Sequence, residues 1–220
     1  MYVALTGDLI DSNRLNNVNR AHLFSILQHD LEHISKEYDL HFPFEFIRGD
    51  GFQCLFTDIE MALNIALQLK TIFKKITFPD QDKDEQYNHM DARISIGIGS
   101  IDFLHSTLAL SDGQALQLSG RNLERMKQLD QKLIIHTADQ EINRELKVEL
   151  KLLEAIIDRW SKNAAETAYF LLQGLTEAKT AEKLMVSQSA VNQRKKAANW
   201  DATQMMLNNF KHLANKLKTE

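Results

Sequence analysis

Hydrophobic and polar positions follow strand-like and helix-like periods in turn along the first part of the chain. Residues 2–7 form a short apolar run, which predicts a first strand. From about Asn19 to Tyr38 apolar residues recur every three or four positions, which predicts an amphipathic helix. Two further runs, at residues 42–48 and 52–56, flank a short turn that contains Asp-Gly. That arrangement is typical of a β-hairpin.

The pattern continues with two more helices and two more strands. The predicted elements are a helix to about Ile76 with a capping box at Thr57 and Glu60, a polar surface loop at 79–90, a strand at Ala92–Gly99, a helix at about Gly113–Leu129 and a strand at Lys132–Ile135. The order of strands and helices is that of a split βαβ unit. The sequence therefore predicts an α+β fold, in which residues 1–136 form a ferredoxin-like palm built on a split βαβ antiparallel sheet.

From residue 137 onward the pattern is helical throughout. Thr137 and Gln140 can cap a helix that reaches about Trp160, and Asn163 and Glu166 can cap the next one. We expect residues 137–220 to form an all-helical domain. It contains a helix-turn-helix at about 163–200 and a closing helix for packing or dimer contact.

The stretch at 176–200 carries the helix-turn-helix pattern. Ser187 is a natural N-cap, and Val191 occupies the position of a buried anchor. Met185 stands where a glycine usually makes the turn. The polar residues that follow can pair with base edges or phosphates. The predicted DNA-binding residues are Gln188, Ser189, Asn192, Gln193, Arg194, Lys195 and Lys196. A helical module for protein interaction is the alternative.

Charge and composition narrow the classes of partner. The net charge of −4 combines −8 over residues 1–150 with +4 over residues 151–220, so the helical part is the one compatible with DNA. The single cysteine, Cys54, excludes a disulfide framework within the chain. No apolar run approaches the length of a membrane span. We expect a cytoplasmic protein without a membrane partner.

Two aspartates carry the chemistry predicted for the palm. Asp8 ends the first strand, and Asp50 lies at the tip of the hairpin. In a split βαβ sheet these positions meet at one edge, where paired carboxylates suit Mg²⁺ bound to phosphate oxygens. Asp11 is an auxiliary ligand in this hypothesis. The alternative is that both aspartates serve turn and strand-end geometry alone.

Gln117 and Arg121 are the second candidate pair. They are four residues apart on one predicted helix, so both can address one ligand, and a guanidinium suits phosphate oxygens. The alternative is a surface arginine that pairs with Glu124.

Four segments together resemble a known family. The segments G-D-L-I-D-S (7–12), R-G-D-G-F (48–52), R-I-S-I-G-I-G (93–99) and G-Q-A-L-Q-L-S-G-R-N-L-E (113–124) resemble the SatD family. Beyond that family, residues 1–135 resemble the class III nucleotidyl cyclases, whose palm is similar to that of the GGDEF enzymes.

The cyclase resemblance implies roles for particular residues. It implies that Asp8 and Asp50 hold two Mg²⁺ or Mn²⁺ ions and that Arg121 stabilises the transition state across a dimer interface. Gln117 stands where the cyclases have an asparagine, so ribose positioning departs from their pattern. The segment at 176–200 separately resembles the helix-turn-helix of bacterial transcription regulators.

These patterns predict a DNA-binding transcriptional regulator whose palm senses a nucleotide or related phosphate ligand. The alternatives are an active Mg-dependent nucleotidyl cyclase or transferase and a non-catalytic dimer scaffold. A homodimer is expected, because cyclase-like sites form between subunits and helix-turn-helix proteins usually read two half-sites.

Overall fold

In the computed structural model, which describes residues 1–47, 49–79 and 87–219, five strands form one mixed sheet. These strands are β1 (Tyr2–Ile10), β2 (Phe42–Ile47), β3 (Gly51–Phe56), β6 (Asp91–Gly99) and β7 (Leu133–His136), and their order is β2-β3-β1-β6-β7. Strand β3 lies between β1 and β2 and is antiparallel to both, which is the predicted split βαβ arrangement.

The predicted antiparallel sheet is wrong in one respect, because β6 and β7 are parallel. The chain leaves β6, crosses the sheet as helix α3 (Gln114–Leu129) and returns as β7. A helical crossover brings the second strand back in the same direction as the first.

Helices cover both faces of the sheet. Helices α1 (Asn17–Glu37) and α2 (Ala62–Lys75) share the main apolar core with Val3, Leu5 and Leu9 of β1. On the opposite face, Ala115 of α3 packs with Ala4 of β1 in a smaller core. The alternation of side chains along β1 therefore separates the two cores.

Helix α3 lies very close to the sheet because residue 97 is a glycine. A Cβ built on Gly97 would collide with the carbonyl oxygen of Ala115 and the amide nitrogen of Ser119. The Thr6 and Ser119 hydroxyls, 3.0 Å apart, form a hydrogen bond across the same contact. The glycine therefore permits a close approach of the two backbones.

The rest of the chain is helical, as predicted. Its helices are α4 (Gln140–Ile157), α5 (Lys162–Leu172), α6 (Glu177–Leu184), α7 (Gln188–Ala197) and α8 (Trp200–Thr219). Helix α5 packs on α2, and the Asn64 amide donates to the Leu172 carbonyl oxygen at 3.1 Å. One apolar core thus includes residues from both sides of the predicted boundary at 136. Where the domains divide stays a prediction.

Three helix starts differ from the predicted capping boxes. Asp139 and Ser161 accept from the first-turn amides of α4 and α5, where the sequence pattern favoured Thr137 and Asn163. Asp58, next to the favoured Thr57, caps a 3-10 turn (Ile59–Met61) directly before α2. Each observed cap is a short oxygen-bearing side chain within two residues of the predicted one. Helix α4 also ends at Ile157, three residues before Trp160. The indole of Trp160 instead donates to the Ala198 carbonyl oxygen at 2.8 Å.

The loop predicted at 79–90 is partly structured. Strands β4 (Thr77–Pro79) and β5 (Tyr87–His89) pair with each other as a separate antiparallel ribbon. Residues 80–86, like Arg48, lie outside the described residues.

The apolar face of the closing helix belongs to the core. Phe210, Leu213, Ala214 and Leu217 are buried in the main core, and Lys218 pairs with Glu60 at 2.7 Å. Over the described parts of the chain, no helix combines the length and apolar character that crossing a membrane requires.

Gly97→Ala should destabilise the protein by about 1–3 kcal/mol, because the new methyl group forces helix α3 away from the sheet. Urea unfolding measures the change. Gly120→Ala, within helix α3, is the matched control, since no neighbouring group lies within 4 Å of the Cβ that it would add. It should be neutral or stabilising. Equal stability of Gly97→Ala and the wild type would contradict the close contact.

Candidate functional site

Asp8 lies at the centre of the predicted palm site. It pairs in register with Gly51 of β3 on one side and with Arg93 of β6 on the other. Asp50 directly precedes Gly51, and its main-chain oxygen accepts from the Leu9 amide at 3.2 Å. The hairpin tip and the end of β1 therefore meet at one edge of the sheet, as expected.

Both carboxylate oxygens of Asp8 face protein cations. Arg93 Nη1 lies 3.0 Å from Oδ1, and Lys127 Nζ lies 3.4 Å from Oδ2. The Asp8 side chain is 13% exposed. Lys127 also lies 3.6 Å from Glu124 Oε1, so it bridges two carboxylates. Asp8 is thus the centre of an ion-pair cluster that joins β1, β6 and α3.

Asp50 and Asp11 have separate surroundings. The Ser12 hydroxyl donates to Asp50 Oδ2 at 2.6 Å. Asp11 precedes the 3-10 turn Ser12–Arg14 and adopts a left-handed backbone with φ of 57°. Asp8 and Asp50 therefore lie at the same edge of the sheet, and each has its own protein partners.

The observed arrangement does not fit the divalent ion that the sequence predicts. Mg²⁺ binds oxygens at about 2.0–2.1 Å, and both oxygens of Asp8 already face cationic nitrogens. Among the residues that the structure describes, no group of three or more His, Cys, Asp and Glu side chains could hold a metal ion. No chemical step through Mg²⁺ or Mn²⁺ follows from these residues as they are arranged.

Gln117 and Arg121 are adjacent, as their spacing predicts. Arg121 Nη2 donates to Gln117 Oε1 at 3.3 Å, and Gln117 Nε2 donates to Asp112 Oδ1 at 3.2 Å. Glu124, the alternative partner of Arg121, pairs with Lys127. Both Gln117 and Arg121 are exposed.

The buried face of helix α3 is the opposite one. It is formed by Ala115, Ser119, Asn122, Leu123 and Met126. Within one chain, Gln117 and Arg121 are therefore not brought to Asp8.

Lys127 is the site residue that sequence reasoning missed, and Arg93 of β6 is the other cation on Asp8. The period of α3 contains the signal for Lys127, because residues 119, 123 and 127 follow at intervals of four on the sheet-facing side. Arg93 is brought opposite Asp8 by the register of β1 and β6, which no local sequence pattern predicts.

The predicted DNA-binding residues lie on helix α7. Ser187 caps it by accepting from the Ala190 amide at 3.2 Å, and Val191 is fully buried beneath it. Met185 takes the left-handed turn conformation with φ of 53°, although it is not a glycine. Such a conformation costs a non-glycine residue about 1–2 kcal/mol.

The seven polar residues of α7 divide into two groups by exposure. Gln188, Ser189, Gln193 and Lys196 are exposed, whereas Asn192, Arg194 and Lys195 are half-buried. Arg194 lies 4.0 Å from Glu166, and Lys195 lies 3.1 Å from Glu177 and 3.8 Å from Asp201. Two of the predicted DNA contacts are therefore also engaged with acidic side chains.

Comparison with known proteins identifies the family. The model of the SatD family matches residues 2–215. The chain belongs to the SatD family. No curated protein matches this SatD-family chain significantly.

Solved structures of cyclases share part of the fold of this SatD-family protein. The active GGEEF domain of a diguanylate cyclase from Vibrio cholerae is 15% identical, with a TM-score of 0.42 over 63% of this chain and 83% of that one. The adenylyl cyclase CyaB from P. aeruginosa is 12% identical, with a TM-score of 0.39 over 56% and 71%. A bacterial light-regulated adenylyl cyclase is 13% identical, with a TM-score of 0.40 over 61% and 42%.

Asp8→Asn should lower the free energy of unfolding of this SatD-family protein by about 1–2 kcal/mol, because Arg93 and Lys127 lose their shared carboxylate. Most of the effect should come from Arg93, since Lys127 is nearly half exposed and its pair is screened. Urea denaturation measures it.

Glu124→Gln is the control for that variant. The Glu124 side chain is 74% exposed, so its loss should change stability little. An Asp8→Asn variant as stable as the wild type would contradict a stabilising role for the Asp8 carboxylate.

Proposed function

We propose that this SatD-family protein is a DNA-binding transcriptional regulator in which helix α7 enters the major groove. The observation that supports it is the division of α7 into a buried anchor, Val191, and an exposed polar face. A capped short helix with this division suits a recognition helix.

The chemistry of the exposed face favours nucleic acid. Gln188 and Gln193 offer amide groups of the kind that pair with adenine, and Lys196 offers a cation for phosphate or guanine. The region of residues 151–220 has a net charge of +4, against −8 for residues 1–150. DNA would therefore approach the helical part of the molecule.

Neighbouring helices support α7 in a compact group. Helices α5, α6 and α7 contact one another, and the small buried Ala181 of α6 permits close crossing. The ion pairs of Arg194 and Lys195 hold α7 to α5, α6 and the start of α8. Arg194 and Lys195 therefore also have structural roles, so substitutions of Lys196, Gln188 and Gln193 test DNA contact more directly.

The proposal includes a second role for the palm, as the sensor of a nucleotide or related phosphate ligand. It is supported by Arg121, whose guanidinium is exposed and oriented by Gln117. We also propose a homodimer, since helix-turn-helix proteins usually bind two half-sites. An active cyclase or nucleotidyl transferase is the weaker candidate, because the oxygens of Asp8 already face Arg93 and Lys127.

Lys196→Ala should weaken DNA binding and reduce the slope of log affinity against log salt by about 0.9, because one phosphate contact is lost. Fluorescence anisotropy on mixed genomic DNA fragments, measured at several salt concentrations, gives both quantities. Lys211→Ala removes an exposed charge from α8 and is the matched control, so its slope should equal that of the wild type. The proposal fails if the wild type does not bind DNA at low salt.

The sensing role predicts that a nucleoside triphosphate raises the melting temperature without being turned over, and that Arg121→Ala abolishes the shift. Thermal shift assays with each triphosphate, together with chromatography of the products, measure both. Arg125→Ala removes an exposed arginine from the same helix and should retain the shift. Formation of a cyclic product would contradict the sensor and support the enzyme. An unchanged thermal shift in Arg121→Ala would show that Arg121 does not bind the ligand.

A further inference from the structure

We propose that the Lys127 ammonium is a built-in cation that takes the place of a divalent metal ion on Asp8. The palm then keeps an acidic edge typical of a metal site while a protein side chain supplies the counter-charge. The inference concerns the ligand site of the proposed sensor and does not depend on DNA binding.

The first reason is the placement of the two cations. Arg93 Nη1 faces Asp8 Oδ1 at 3.0 Å, which leaves Oδ2 as the oxygen on which an added ion would compete. Lys127 Nζ lies 3.4 Å from that oxygen and 3.6 Å from Glu124 Oε1. An ammonium group between two carboxylates occupies a position that a metal ion would otherwise favour.

The second reason is that the backbone of helix α3 is held firmly above the site. Gly97 lets α3 lie directly on the sheet, and Thr6 is hydrogen-bonded to Ser119 two turns before Lys127. Lys127 therefore starts from a fixed point over Asp8. Its side chain is 46% exposed, so the ammonium group is within reach of solvent and of added ions.

The third reason is the local charge. Lys127 lies against the carboxylates of Asp8 and Glu124, and Arg93 lies against that of Asp8. Loss of the lysine charge would leave Arg93 as the remaining cation in these contacts. A divalent ion at Asp8 Oδ2 would then no longer be repelled by the ammonium group, so removing Lys127 should raise the affinity of this edge for such an ion.

The test is a titration with Mn²⁺ alone, followed by electron paramagnetic resonance of the free ion. The wild type should bind Mn²⁺ weakly. Lys127→Met, which keeps an apolar stem of similar length, should bind it roughly tenfold or more tightly, because a positive charge close to the ion is gone. The double variant Lys127→Met/Asp8→Asn should lose the gain. Lys179→Met removes a charge from helix α6 and should bind as the wild type does.

Two results would overturn the proposal. One is a wild-type protein that binds Mn²⁺ as tightly as Lys127→Met, and the other is a gain that survives Asp8→Asn. Lys127→Gln provides the same test if the methionine variant does not fold. The titration contains neither DNA nor nucleotide, so its failure is distinguishable from failure of the proposed function.

Discussion

The burial of helix α2 on all sides is the constraint on which the rest of the structure depends. Every residue from Ala62 to Lys74 is buried, because the sheet covers one side of the helix and α5 covers the other. Its polar side chains therefore bond to groups inside the protein, although Gln68 Oε1 has no hydrogen-bond partner among the described residues. Lys70 donates to Asp91 at 2.8 Å, and Asn64 and Gln68 form a network with Tyr38. Burial lowers the pKa of Lys70, and the Asp91 carboxylate opposes that shift.

The same helix connects the palm to the helical region by charge as well as by packing. Asp91 also pairs with Lys132 at 3.2 Å, and Lys132 pairs with Asp158 after the end of α4 at 2.9 Å. Burial raises the pKa of Tyr38 to about 12, so its hydroxyl stays protonated in the α2 network. The contact between α2 and α5 is partly polar, since the Asn64 amide donates to the Leu172 carbonyl oxygen.

Close packing of α3 sets the electrostatics of the other face of the sheet. With a glycine at 97 the helix lies on the strands, and its sheet-facing residues reach β1 from Thr6 to Asp8. Lys127, on the same helix, lies 3.4 Å from Asp8. The acidic edge, which by sequence resembles a metal site, is in this way tied to its own cations. The proposed recognition helix α7 and the proposed built-in cation on α3 both depend on helices that are held in place by packing.

The sequence by itself determined the elements, because hydrophobic period and turn residues act locally. It predicted the order of the five sheet strands and of the helices, a turn at Met185, the cap at Ser187 and the adjacency of Gln117 and Arg121. It also brought the Asp8 and Asp50 segments to one edge, since a split βαβ order leaves few other arrangements. Only the tertiary structure decided which groups face Asp8. Its partners lie 85 and 119 residues away along the chain, on a strand and a helix whose register and approach depend on packing across the whole sheet.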